Sequence, residues 1–519
     1  MIIITSGAYV SQGLITEFGK LPPTMLPLQN KRLFQHQLEI LKNQKDVIIS
    51  LPFDFILTER DRILFEEYNV TPIFVPIELS LGQSIIYVLN VSGKHEESIN
   101  ILHGDTLFKE LPEGNDLCLV SEVQDNYSWA YSAEGGEDSV YAGYFSFSNQ
   151  SLLIKKMTEN DYNFMNGFEA YRKEIKVKEV YTDFWLDFGL VNSYYRSKSF
   201  LTTQRIFNDL AINRFSVRKS SNDKKKMFAE AMWFKNSPIN LKPFLPALWD
   251  YGEEENGAYY EIEYFYLNTL SDLYVFGNQP LFIWKNIFKA CNLFVTTCLT
   301  IKSKHNVDLS IFNDKIYSEK TFSRLKSYAL DENIDLDEPW IINGVGVPSL
   351  NEIVIEMNAA ISNPESKHLC IMHGDFCFSN ILYNFKTQSI KVIDPRGLDL
   401  DGEETIYGDV RYDVAKLAHS VLGLYDYIIG GCFSLKETNT YTLDFEIQTE
   451  SHVEEIQQHF RSLVFGKMDL DQLNTYPILV HLFLSMLPLH SDHPRRQKAM
   501  LANALKIYVE YKSKGQIIT

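Results

Sequence analysis

The chain has 519 residues, 45% hydrophobic, 13% aromatic and 22% charged, and a formal net charge of -18. That length exceeds one ordinary core and predicts two or three domains, and the apolar content excludes extended disorder. So acidic a chain is not expected to bind nucleic acid or anionic lipid through its overall charge, although local Lys, Arg and metal ions can still receive phosphates.

The opening MIIITSGAYV lacks a basic n-region and reads as a buried strand entering a Gly-containing turn, not as a signal peptide. No run approaches the roughly 18 apolar residues of a membrane span. Cys118, Cys291, Cys298, Cys370, Cys377 and Cys432 form no C-x-x-C pair, the pattern of reduced thiols rather than of disulfides or a zinc site. A cytoplasmic protein is expected.

Short apolar runs at Ile2–Ile4, Val47–Leu51, Ile73–Pro76 and Ile99–Leu102 predict strands. Leu33–Asn43 and Asp61–Tyr68 between them have helical spacing. That alternation predicts a parallel sheet with helices on both faces. From about Leu117 to Val180 more strands are expected, including Val140–Phe147 and Ser151–Lys156, in a mixed or antiparallel arrangement. Tyr194–Asn213 reads as polar and helical, and the domain boundary is placed there. Beyond it, strands are expected at Phe215–Lys219 and Tyr259–Tyr266, with a helix near Asp223–Phe234. The acidic Gly252–Asn256 reads as a solvated hairpin tip. From Leu281 the chain is expected to be mostly helical, with strands at Leu369–Met372, Ile381–Tyr383 and Ile390–Ile393.

Two N-terminal segments offer carboxylates for a metal ion. ILHGDTLF ends an apolar strand in Gly104-Asp105, and DFWLDFG supplies Asp187. Nucleotidyl transfer needs two such groups to clamp Mg²⁺ on the α-phosphate and the attacking phosphate. Together with their order in the chain, they resemble the nucleotidyltransferases that make activated sugars and choline. The resemblance implies a GT-A/Rossmann-like α/β fold over residues 1–205, with Asp105 and Asp187 as metal ligands. It places Gly7 and Gly82 (the latter in LSLGQSIIYVL) near the nucleotide. The family's opening G-x-G-x-R is absent, and its Pro-Lys appears as Pro23-Thr24. Phosphate charge must then be met by Lys20, Lys31 or Arg32, Lys20 being the expected contact. At roughly 200 residues the domain resembles the compact cytidylyl-type transferases more than the longer sugar-nucleotide enzymes, and that resemblance implies CTP as donor. A decayed site, or a sugar-transfer variant of the same fold, remains an alternative.

The strongest signal is IMHGDFCFSNILYNFKTQSIKVIDPRG. Phosphoryl transfer to a hydroxyl needs a carboxylate to receive the nucleophile's proton and oxygen ligands for Mg²⁺ beside the β- and γ-phosphates. Asp375, Asn380 five residues later and Asp394 after an apolar strand meet those needs. The segment resembles the aminoglycoside phosphotransferase and choline kinase family. The resemblance implies an α+β, protein-kinase-like bilobal domain over residues 206–519, the small lobe about 206–275 and the large lobe about 276–519. By that resemblance Asp375 is the catalytic base, Asn380 and Asp394 hold the metal, and His373 is a structural residue of the loop. FSVRKSSNDKKKMFAEAMWF offers Lys219 and Glu230 as the ATP-binding pair, with Lys225 and Lys226 as rival lysines. YYEIEYFY would be the hinge strand, and Asp409 and Asp413 would brace the catalytic loop.

Both halves together predict a bifunctional enzyme. ATP phosphorylates a small alcohol, sugar or choline-like substrate, and an NTP then converts the product into an NDP-activated precursor for capsule or lipopolysaccharide. The alternative is an active kinase joined to a binding module. His493, Arg495 and Arg496 read as a basic surface helix before a phosphate site.

Overall fold

The computed structural model describes residues 1–41, 46–94, 98–122, 139–201, 209–302, 313–399 and 401–517. The chain divides into two compact units, Met1–Leu201 with Phe276–Gln279, and Thr202–Val275 with Pro280–Thr519. The expected boundary at 205/206 lies outside the described residues.

In the first unit a seven-stranded mixed sheet runs in the order Val70–Val75, Val47–Pro52, Ile2–Thr5, Ile99–His103, Ser139–Phe147, Leu117–Glu122 and Lys178–Tyr181. The first four pair in parallel, and Ser139–Phe147 is antiparallel to both neighbours. Every residue of Val47–Pro52 is buried. Since successive strand side chains face opposite ways, both faces of the sheet are covered. On one face Ile3, Ile48, Ile101 and Phe145 pack with Val88 and Leu89 of the helix Leu81–Ser92, and with Met157 and Phe168 of two later helices. Ile2–Thr5 has its sequence successors on either side, Val47–Pro52 on one and Ile99–His103 on the other. Where strand order reverses in this way, ligands bind beyond the carboxyl ends of the strands.

Ser151–Lys156, expected as a strand, lies in the helix Gln150–Glu159. The Asn149 side chain accepts the Leu152 N–H as N-cap, and Leu153 and Met157, one turn apart, are buried. The short apolar run cannot separate the two structures by itself; the cap decides. The helix after Asp187 covers Val191–Phe200, and Asp209–Ile212 is a strand rather than its continuation.

The second unit begins with a four-stranded antiparallel sheet, ordered Asp209–Ile212, Ser216–Ser221, Gly257–Glu263 and Leu248–Glu254. The helix Lys224–Asn236 follows the second of these, capped by Asp223, whose side chain accepts the Lys226 N–H. The acidic segment spans the end of the strand Leu248–Glu254 and the exposed turn Glu255–Asn256 that leads into Gly257–Glu263. The remainder is built round two wholly buried helices, Val410–Val421 and Thr475–Met486. A four-stranded sheet of Val345–Ser349, Pro339–Ile342, Thr442–Ile447 and Phe433–Asn439 was not expected from the sequence. Its strands are short and polar on their outer face, as in FSLKETN, so they carry little apolar signal. Among the described residues, no helix is long and apolar enough to cross a membrane.

Candidate functional site

In the second unit the strand Leu369–Ile371 pairs with Tyr407–Asp409 and leads into His373, Gly374 and Asp375. Gly374 has φ +79°, and a Cβ there would stand 2.6 Å from the Arg396 Cβ, so the turn requires glycine. The buried Asp413 carboxylate accepts the N–H groups of His373 and Gly374, both at 2.7 Å. Burial pushes that carboxyl up to about 7, and the two N–H bonds oppose the shift. His373 Nδ1 accepts the Asp375 N–H at 3.2 Å, and burial drives the imidazole down to about 4, leaving it a neutral part of the loop. Asp409 is the register partner of Leu369, in the strand that leads into the loop. It binds Arg411 at 2.6 Å, and Arg411 in turn reaches Ser362 and Asn474.

Asp375 is held from two sides. Lys416 Nζ lies 2.9 Å from its Oδ1, and the Asn380 amide donates to Oδ2 at 2.9 Å. Burial alone would raise the Asp375 pKa, and Lys416 outweighs it, holding the carboxylate well below its usual range. Asn380 ends the short helical turn Phe378–Asn380, and its carbonyl accepts the Ile393 N–H at 3.0 Å. That bond sets the next residue, Asp394, beside it, in a left-handed backbone conformation at φ +56°.

Asp394 meets the pair from the first sheet. Its Oδ1 lies 3.2 Å from Lys219 Nζ, which lies 2.7 Å from Glu230 Oε2. Tyr260, the register partner of Lys219, brings its hydroxyl 2.9 Å from Glu230 Oε2 and 3.3 Å from Asp394 Oδ1. Burial opposes the Lys219 charge, but Asp394 and Glu230 outweigh it and keep the ammonium protonated. The rival Lys225 faces Glu403, and Lys226 reaches Glu230 only at 3.9 Å from an exposed position. Gly397, at φ +66°, approaches the helix bearing Glu230 so closely that a Cβ would lie 2.2 Å from the Ala229 carbonyl oxygen. Trp233 of that helix donates to the Met372 carbonyl at 2.9 Å. Five expected residues, Lys219, Glu230, Asp375, Asn380 and Asp394, therefore share one place. Sequence reading missed Tyr260 and Lys416. Lys416 lies one turn after Asp413 on the same helix.

In the first unit Asp105 follows the strand Ile99–His103, and Asp187 ends the strand Trp185–Asp187, antiparallel to Thr106–Phe108. A Cβ on Gly189 would lie 2.8 Å from Asp105 Oδ2 and 3.4 Å from Asp187 Oδ1, so both carboxylates converge on the space that this glycine leaves open. Asp187 Oδ2 is buried with no hydrogen-bond partner among the described residues. Burial and then the Asp105 charge push Asp187 up to about 7. Gln37 fixes the turn after Asp105 by donating to the Thr106 carbonyl at 2.8 Å, and Trp185 Nε1 donates to Thr106 Oγ1 at 2.8 Å.

The other expected N-terminal residues are spread wider. Gly7 lies where a Cβ would stand 2.5 Å from a Val75 methyl and 2.9 Å from Ser84 Oγ. Gly82 is close-packed under the Tyr162 carbonyl, where a Cβ would lie 2.2 Å from its oxygen, so the fit needs glycine. Lys20 pairs with Asp54 at 2.8 Å and lies over the Tyr9 ring. Lys31 forms an exposed pair with Glu39, and the buried Arg32 is paired with Asp61. Thr24, at the position where the sequence resemblance implies lysine, is buried and hydrogen-bonded to Ser6 Oγ. On the C-terminal helix, Arg496 donates to the Ile429 carbonyl and Arg495 lies over Phe433, contacts of structure rather than of a ligand.

No protein-family model and no curated protein matches the chain. Solved structures do. Over 39% of this chain, in its N-terminal region, it is similar to a protein assigned as a glucose-1-phosphate thymidylyltransferase from Bacillus anthracis, with 12% identity, 97% of that chain covered and a TM-score of 0.31. HddC from Yersinia pseudotuberculosis matches with 16% identity over 39% of this chain and 99% of its own, TM-score 0.30. A thermostable mutant of the aminoglycoside phosphotransferase APH(4)-Ia, solved with AMP-PNP and hygromycin B, matches with 13% identity over 59% of this chain and 92% of its own, TM-score 0.35. The chain is thus similar in part to a nucleotidyltransferase and in part to an aminoglycoside phosphotransferase.

Proposed function

We propose that the chain is a bifunctional enzyme: residues 206–519 transfer the γ-phosphoryl group of ATP to a small alcohol, and residues 1–205 transfer a nucleotidyl group from an NTP, CTP by preference, to a phosphate. The observation that carries the kinase reading is the chain of contacts from Glu230 through Lys219 to Asp394, beside an Asp375 that Asn380 and Lys416 hold in place.

Lys219 would neutralise nucleotide phosphates, with Glu230 and Tyr260 fixing its direction. Asn380 and Asp394 would hold Mg²⁺. They are hard oxygen donors, and no group of three or more His, Cys, Asp or Glu gathers among the described residues, so phosphates and water would complete such an ion's shell. Bound there, the ion would neutralise charge on the β- and γ-phosphates. Asp375, ionised at every physiological pH, orients the acceptor hydroxyl and takes its proton as the oxygen attacks the γ-phosphorus and ADP leaves. Asp375→Asn is expected to abolish ATP-dependent phosphorylation while leaving ATP binding intact. Undiminished phosphorylation by that variant would remove Asp375 from the mechanism.

The N-terminal reading rests on Asp105 and Asp187 converging at Gly189, with one buried carboxylate oxygen unpartnered. That donor set suits a divalent cation on an α-phosphate. Thr24 in the lysine position, and the pairing of Lys31 and Arg32, favour a second reading in which this unit only binds its ligand. Pyrophosphate release decides. The enzyme reading requires release from an NTP and a phosphorylated acceptor, lost in Asp105→Ala and Asp187→Ala.

A further inference from the structure

Beside Asp375 the second unit concentrates positive charge apart from the Lys219–Glu230 pair. The helix Val410–Val421 sets Tyr412 and Lys416 one turn apart on one face. The helix Lys320–Glu332 does the same for Lys320 and Arg324. Lys320 Nζ lies 3.3 Å from Tyr412 Oη. The Arg396 guanidinium carbon lies 4.5 Å from the centre of the Tyr412 ring. Arg396 also packs directly on Gly374, the residue before Asp375.

The negative charge nearby is already committed. Asp375 is paired with Lys416, and Asp413 accepts two backbone N–H groups. Among the described residues, no carboxylate forms an ion pair with Lys320, Arg324 or Arg396. Arg324 donates to the Ser485 carbonyl instead, and the Tyr412 phenol is the one acidic group lying against both Lys320 and Arg396 among those residues. Half-buried like charges repel, and an anion brought among them is held in a medium where attraction is stronger than in water.

We propose that Lys320, Arg324 and Arg396 receive an oxyanion carried by the acceptor, so that the hydroxyl delivered to Asp375 belongs to an alcohol that already bears a phosphate. The proposal deepens the kinase reading and rests on it. Two guanidinium groups match phosphate oxygens with paired donors, and an ammonium adds a point charge. The same cluster repels a quaternary ammonium or polyamine acceptor, which excludes choline-like substrates at this site. In the reaction the acceptor oxygen bonds to the γ-phosphorus, the bond from that phosphorus to the ADP oxygen breaks, and the hydroxyl proton passes to Asp375. The product carries the original phosphate and a new one. A phosphomonoester and a nucleoside-diphosphate-linked alcohol both present such an oxyanion.

The full chain loaded with Mg²⁺ and AMP-PNP is titrated with inorganic phosphate by calorimetry. Phosphate is expected to bind the wild type, and to bind Lys320→Gln and Arg324→Gln at least about tenfold more weakly, with AMP-PNP affinity unchanged. In turnover, phosphomonoester alcohols and nucleoside-diphosphate-linked alcohols run as separate arms against matched neutral alcohols. One phosphorylated arm is expected to exceed its neutral partner about a hundredfold in kcat/KM, which identifies the source of the oxyanion. No phosphate binding, equal binding by both variants, or preferred turnover of neutral or cationic alcohols overturns the proposal and leaves the kinase standing. Failure of the wild type to bind AMP-PNP would instead bring down the kinase reading on which it rests.

Discussion

Lys416 and Asn380 occupy opposite oxygens of the Asp375 carboxylate, each at 2.9 Å. The amide fixes direction, while the ammonium fixes charge, since Lys416 is the largest influence holding the partly exposed Asp375 carboxylate low against its partial desolvation. Lys416 thus acts on the chemistry through Asp375, as a positioning residue. Lys416→Met removes the cation that holds the carboxyl low, so the Asp375 pKa rises and the base becomes protonated at a higher pH. The acidic limb of the kcat/KM profile is expected to move to higher pH, with Lys416→Arg restoring it. An unchanged limb in the Met variant would show that the pair is structural only.

The Lys219–Glu230 pair spans a strand and a helix, and Asp394 closes it from the other side. Losing the ammonium leaves a buried Glu230 without its counter-charge and the nucleotide phosphates without a cation. Lys219→Met is expected to lower kcat about a hundredfold or more, the usual scale for removing one preorganised charge from a transferring phosphate. Steady-state kinetics with saturating ATP checks this. Lys225→Met, by contrast, changes an exposed lysine and is expected to leave kcat within about twofold.

Gly189 is the point where the first unit's two carboxylates meet. An alanine there puts a methyl group 2.8 Å from Asp105 Oδ2, closer than van der Waals contact, and displaces the pair. Gly189→Ala is expected to reduce NTP-dependent pyrophosphate release about a hundredfold, as small displacements of reacting groups do. ATP-dependent phosphorylation by the same preparation serves as the folding control and should not change. Retained pyrophosphate release would separate Asp105 and Asp187 from any joint role.

Much of this was legible in the residues, for reasons that differ by site. Asp375, Asn380 and Asp394 lie in one short stretch, so their meeting is fixed by a loop and one hairpin. Lys219 and Glu230 are eleven residues apart, on a strand and the helix that follows it. Lys416 and Tyr260 are long-range partners, and sequence alone assigns no partner to a lysine on a buried helix or a tyrosine in an aromatic strand. The cationic cluster draws on residues as distant as Lys320 and Tyr412, which only tertiary packing unites. Ser151–Lys156 was misread because a short apolar run fits a strand as well as a helix until its cap is seen. In the first unit the strands and the meeting of Asp105 and Asp187 followed from the residues, whereas the close packing round Gly7 and Gly82 is something motif spacing does not reveal.

The second unit also carries a built-in acid sensitivity. His373 and His481 are buried, at 0% and 2% exposure, and burial drives their imidazoles down to about 4 and about 3. In the unfolded chain both take a proton near the ordinary value of about 6.5. Their contribution to stability is therefore fully present above about 6.5 and is lost as pH falls towards the folded values, because only the unfolded state can bind the protons. Between pH 7 and 5 each histidine removes about 2 kcal/mol by this linkage. His481→Gln cannot take up that proton, so its stability is expected to fall less steeply over the same range, whatever its stability at pH 7. Thermal unfolding of wild type and variant at half-unit pH steps measures the two slopes. Parallel slopes would mean that His481 becomes protonated inside the fold, with Thr321 Oγ1, 3.1 Å from its Nδ1, accepting that hydrogen bond.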